Sequence, residues 1–249
     1  MTRTFLLLVL LLASVSLGQA PPQSPGPAES PGPEGASPPP PTPVTPIHGR
    51  LTLSNGDAHP GEFLPEEIRL ATEYAELVTI NPAFLRSLRL GAPAQATLVN
   101  GDVISGTLQN RTLTFQTFFG TRTVPVENIT SLATDLPAVQ RRQGTLLITL
   151  RSGDRVSGTV LAEDSTPLVP GSIPFRVPFG AVYVRPETIE RIRPTTGGTI
   201  EIVTVDGSVA TVAAGIPAVR LSTIYAGVLT LAGDQIDTIL LASATEAPR

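Results

Sequence analysis

One cadence recurs four times along this chain. A two-residue turn ends in glycine, a second small residue breaks the strand that follows, and a late apolar anchor closes the unit. The turns are Asn55-Gly56, Asn100-Gly101, Ser152-Gly153 and Asp206-Gly207. Self-similarity at a fixed period constrains architecture more than any single motif, because each unit is one supersecondary module that must bury its apolar face on itself or on a neighbour. From turn glycine to the small residue of the second turn the distance is 19 positions in the first two units (Gly56 to Ala75, Gly101 to Gly120) and 20 in the fourth (Gly207 to Gly227). The third stretches to 27 (Gly153 to Gly180), and its surplus lies in Leu168-Val-Pro-Gly-Ser-Ile-Pro174, which has the composition of an inserted loop. A further 9 positions lead to each anchor: Ala75 to Phe84, Gly120 to Ile129, Gly180 to Ile189 and Gly227 to Ile236.

Apolar residues alternate around the first turns, as in Leu146, Ile148 and Leu150 before Ser152-Gly153 and Val156 and Val160 after it. Period two predicts strands, and Asn-Gly or Asp-Gly between such runs predicts a tight hairpin. Asp57, Asp102 and Asp154 follow the turn glycine and are expected to cap the turn. Five residues after that glycine stand Gly61, Gly106 and Gly158, which predict a sharp bend or a close backbone approach; the fourth unit has Val212 there and reads as degenerate. Anchors three apart (Ile129 and Leu132, Ile189 and Ile192, Ile236 and Ile239) read as core positions at a strand end. Only Pro82-Ala-Phe-Leu-Arg-Ser-Leu-Arg-Leu90 carries helical periodicity, so one short helix is expected there.

The ends place these units in a longer organisation. Met1 to Arg3 and the apolar run from Phe5 to Val15, followed by Gly18-Gln-Ala20, look like a signal peptide over 1–20. The run is too short to span a bilayer, which takes about 20 apolar residues. The segment 21–46 is a linker, since 12 of its 26 positions are proline and it has too few apolar side chains to offset its ordering entropy. Four β units then occupy 47–92, 93–138, 139–195 and 196–243, with a tail at 244–249. The expected fold is all-β, with tandem small, strongly bent antiparallel units.

Charge and residue usage narrow the function. All 17 basic residues are arginine, and the net charge is −4, which argues against nucleic acid, whose binding surfaces are markedly basic. With no cysteine, neither a disulfide nor a lipidated cysteine is available. The two histidines, His48 and His59, lack metal-ligand spacing. There is no Gly-x-Ser-x-Gly elbow and no lysine for a Ser-Lys dyad. Among carboxylate pairs, Glu66-Glu67 has the residue types for acid–base work on a sugar, and a solvated strand start explains it better. No catalytic residue, metal or cofactor is expected. One aromatic position near the second turn, read as Tyr74, Phe119, Phe179 and Tyr225, forms a ladder available to a partner or glycan if it faces solvent.

Two stretches carry a family resemblance. Leu98-Val-Asn-Gly-Asp-Val-Ile-Ser-Gly-Thr-Leu108 resembles the first signature of the Sm-like proteins, and Leu231-Ala-Gly-Asp-Gln-Ile-Asp-Thr-Ile239 resembles the second. The resemblance implies an SH3-like barrel of about five strands, repeated up to four times over 47–242, with edge strands that pair with neighbours. The RNA contacts of that family are not carried over, because Gln109-Asn-Arg-Thr112 lacks the aspartate they need. The expected role is an exported, non-enzymatic envelope scaffold or adaptor for protein partners, with a polysaccharide- or peptidoglycan-binding module as the alternative.

Overall fold

The computed structural model describes residues 46–64, 66–142, 145–161, 172–177, 180–195 and 197–241. Among these the protein is all-β and antiparallel, with no helix longer than a three-residue 3-10 turn. The same order of elements appears in four successive stretches, each with five strands and a 3-10 turn before the fifth. The first holds β1 (Ile47–Leu53), β2 (Ala58–Phe63), β3 (Ile68–Thr72), β4 (Glu76–Ile80) and β5 (Leu85–Arg89). The second holds β6 (Ala94–Leu98), β7 (Val103–Leu108), β8 (Thr112–Thr117), β9 (Gly120–Pro125) and β10 (Ile129–Thr134). The third holds β11 (Leu146–Leu150), β12 (Arg155–Val160), β13 (Ile173–Val177), β14 (Gly180–Val184) and β15 (Ile189–Thr195). The fourth holds β16 (Thr199–Thr204), β17 (Val209–Val212), β18 (Val219–Thr223), β19 (Gly227–Leu231) and β20 (Ile236–Leu241).

Pairing does not follow the stretches. The first hairpins of the first three stretches close with the last three strands of a neighbouring stretch, and that of the fourth pairs with the last strand of the third. A first group runs β10–β1–β2–β8–β9, and a second runs β5–β6–β7–β3–β4. The second half of the chain repeats the exchange: a third group runs β20–β11–β12–β18–β19, and the fourth comprises β15–β16–β17 beside a separate β13–β14 ribbon. Within each half the two groups are stitched by their closing strands, Leu132 opposite Leu88 and Ile239 opposite Ile192, all four fully buried.

The glycines at 61, 106 and 158 sit where one stretch's hairpin meets the other's third strand. A Cβ on Gly106 would come 2.5 Å from the Ala71 carbonyl oxygen, one on Gly158 2.7 Å from that of Ser222, and one on Gly61 would collide with the Gln116 carbonyl. Close backbone approach, one of the two reasons anticipated for a glycine inside a strand, is thus what these positions use. Val212 holds the corresponding place in the fourth group, where β17 pairs with β16 and not with β13.

The helix expected over Pro82–Leu90 is absent. Pro82–Phe84 make one 3-10 turn and Leu85–Arg89 are the strand β5. The helix-like spacing comes from a β-bulge: between Leu85 and Ser87 the register slips by one, so Leu85 and Leu88, three apart, both face the core. The same slip at Ile129, Ile189 and Ile236 explains their paired anchors three residues on.

The ruler of the first unit also moves by one. The left-handed residue of the second turn is Gly120 (φ 109°) in one stretch and Gly227 (φ 66°) in another, and in the first it is Glu76 (φ 51°), not Ala75. Nine positions on, the buried anchor is Leu85 rather than Phe84, which is only partly buried. Turn-to-turn spacing is therefore 20 in the outer stretches (Gly56 to Glu76, Gly207 to Gly227), whose wider second turns are closed by Thr72 and Thr223 accepting from the Ala75 and Ala226 N–H groups.

Candidate functional site

Two features stand out from this scaffold. One is a buried polar junction, and the other is an exposed strand edge.

The junction forms where the β6–β7 and β11–β12 hairpin tips meet, with Val103 opposite Arg155. Each turn is held locally by the residue before its glycine: the Asp102 N–H donates to Asn100 Oδ1 at 3.2 Å and the Asp154 N–H to Ser152 Oγ at 3.3 Å. The aspartates, expected to cap their own turns, reach across instead. Asp102 Oδ2 accepts from Ser157 N–H (2.7 Å) and Ser157 Oγ (2.8 Å), and Asp154 Oδ2 accepts from Ser105 N–H (2.9 Å). Asn100 Nδ2 donates to Ser157 Oγ at 2.9 Å, which adds a third link. The segment joining the two halves lies over one side, with the Val139 N–H on the Val99 carbonyl and Arg141 Nη2 at 3.4 Å from Asp102 Oδ1. Burial raises the Asp102 pKa, and the Ser157 bonds and Arg141 oppose that rise without cancelling it. A cleft of about 410 Å³ opens beside Arg141.

Tyr74 and Tyr225 belong to this junction. Both rings are buried, and their hydroxyls face Asp154 and Asp102 in a geometry short of a hydrogen bond. Burial first, and the facing carboxylate second, push both phenol pKa values upward. The aromatic ladder is therefore not formed. Phe119 is 84% exposed, two of its supposed counterparts are core, and Phe179 lies outside the described residues. Counted from the left-handed residue, Tyr74 and Tyr225 correspond to Phe118 rather than to Phe119, so the four residues never shared one position.

The exposed edge is β9. Among the described residues it pairs only with β8, and five of its six residues are exposed. The two-residue turn that starts it, Phe118-Phe119, projects both rings into solvent, 98% and 84% exposed, packed edge to face at 5.6 Å. A groove of about 580 Å³ runs between β9 and the β1–β2 turn, lined by Leu53, Ser54 and Asn55 opposite Arg122 to Pro125. An edge strand with unpaired N–H and C=O groups is a template for a further strand.

His48, Glu66 and Glu67 make surface contacts. His48 Nδ1 lies 3.7 Å from Glu62 Oε1. Glu66 accepts from Thr114 Oγ1 at 2.7 Å, and Glu67 pairs with Arg69 at 3.3 Å. Among the described residues no three His, Cys, Asp or Glu side chains are grouped as a metal site would need. No family model matches the chain, and neither a curated protein nor a solved structure matches it.

What the sequence reading missed is the junction. Its signal was there: an aspartate after the turn glycine combined with a serine three residues on, Asp102 with Ser105 and Asp154 with Ser157, occurs only in the two inner stretches. Arg141 carries no comparable signal, since it stands in an irregular connection.

Proposed function

We propose that this chain is an exported, non-enzymatic envelope scaffold or adaptor that binds a protein partner by strand addition along β9, with Phe118 and Phe119 as anchors. The observation that carries the reading is the coincidence of an unpaired edge, an adjoining groove and two solvent-facing aromatic rings in one place. Contiguous exposed apolar surface on a folded protein marks an interaction site, whereas single scattered apolar residues do not. In this reading 1–20 directs export, 21–46 is a spacer, and the groups made by exchange between neighbouring stretches are small SH3-like barrels resembling the Sm-like fold without its RNA contacts.

The two rings also suit the face of a sugar, so a wall polysaccharide or peptidoglycan is the alternative ligand. A photo-crosslinking residue in place of Thr123 separates the two. Crosslinks from β9 to one envelope protein, lost when Phe118 and Phe119 are both changed to Ser, support strand addition. Retention on protein-free cell wall, abolished by the same double change and with no protein crosslink, would replace it with the glycan reading.

A further inference from the structure

The inner junction is a template for a contact between molecules. Two of the four hairpin tips meet in it, and the other two, Asn55-Gly56 and Asp206-Gly207, are exposed. We propose that the β16–β17 tip of one copy docks onto the β1–β2 tip of a second copy in the manner of the inner pair. Ser54 and Asn55 of the β1–β2 tip also line the groove beside β9, but this inference stands apart from the β9 reading in its partner, a second copy, and in its contacts, which involve neither β9 nor Phe118 and Phe119.

The inner pair joins unlike tips. One side places Val99 and Val103 about its glycine, Val99 being 3% exposed with its carbonyl on the Val139 N–H of the connecting segment and Val103 standing opposite Arg155; the other side places Arg151 and Arg155 there. The β16–β17 tip keeps the valine pattern as Val205 and Val209, yet these are 59% and 63% exposed. The β1–β2 tip, with Ser54 and Ala58, lacks the valines and takes the other role.

The cross-bonds select the same partnership. In the inner junction each tip gives one carboxylate and one backbone N–H, namely Asp102 to Ser157 and Asp154 to Ser105. At the outer tips the carboxylate positions are Asp57 and Ser208, and the donor positions are Pro60 and Thr211. Docked in the inner manner, Asp57 accepts from the Thr211 N–H. The reciprocal place sets Ser208 against Pro60, so carboxylate and donor are missing together and neither is orphaned. Two β1–β2 tips would set two carboxylates against two prolines, and two β16–β17 tips would offer two donors and no carboxylate. Only the unlike pairing is complementary, and a head-to-tail contact of this kind builds open chains or rings.

Sedimentation of the full chain at rising concentration tests this, with two one-sided variants. Val209→Asp spoils one tip, and Ala58→Asp places a charge opposite Val209 and spoils the other. Both positions are exposed, and circular dichroism checks that each variant is folded. The wild type is expected to associate with concentration, each variant alone to stay monomeric, and their equimolar mixture to stop at a dimer built from the two unspoiled tips. A wild type that is monomeric to its solubility limit overturns the proposal. So does an Ala58→Asp chain that still self-associates, or a mixture that remains monomeric.

Discussion

The middle of this chain and its ends use one hairpin for opposite purposes. Asn100-Gly101-Asp102 and Asn55-Gly56-Asp57 are the same three residues, and both turns are held by the asparagine side chain accepting from the aspartate N–H. At the end, Asp57 stays with its own turn, accepting from Asn55 Nδ2 at 2.7 Å in solvent. In the middle, Asp102 is fully buried and bonded to another hairpin. Local sequence makes the turn, and the opposing surface decides whether its carboxylate decorates it or fastens two halves together.

The contrast is sharpest under truncation. Asp102→Ala strands a buried Arg141 and the Ser157 N–H, so it should cost about 3–5 kcal/mol, the range for removing one partner of a buried ion pair. Asp57→Ala should stay within about 0.5 kcal/mol, as exposed substitutions do. Urea denaturation of the two variants checks this; equal costs would mean that the junction is not fastened by its aspartate. Next in size, Gly158→Val should cost about 1–3 kcal/mol, because the added side chain meets the Ser222 carbonyl. Gly215→Val, with open space around the Cβ position, serves as its control. The reverse change, Val212→Gly, should cost little and let β17 approach β13, read as new amide protection on β17 by hydrogen exchange.

The smallest effect is a pH dependence. Burial holds the Asp102 pKa above its unfolded value. Its contribution to stability is thus fully present below the ordinary aspartate pKa of about 4 and is lost as pH rises through the folded value. The stability of the wild type relative to Asp102→Asn should therefore decrease from pH 4 toward neutrality. A flat difference would mean that Asp102 is not ionised against a burial cost.

Strands and turns were legible because both are written locally, in period-two alternation and in Asn-Gly pairs. The partner of each hairpin was not. Stretches built to one pattern offer a hairpin equally good third strands in its own stretch and in the next, so hydrophobic periodicity cannot choose between Phe115 and Leu70 as the neighbour of Phe63. The bulges misled for a related reason, since an extra residue in a strand gives Leu85 and Leu88 the spacing of a helix. Glu76 hid the register of the first unit by adopting a left-handed conformation in which glycine was expected. At the junction the aspartates and serines stood at repeated positions, but their long-range roles needed the other half of the molecule to become visible.

Hairpin exchange also sets the unit in which this chain can be edited. Leu51 lies opposite Leu132, so the first group cannot be completed until the tenth strand exists, while the second is made from the span in between. A cut after Thr134 leaves two finished groups, whereas a cut near Gly91 leaves none. The smallest heritable module is a couple of stretches, and such a chain can gain or shed length only two at a time.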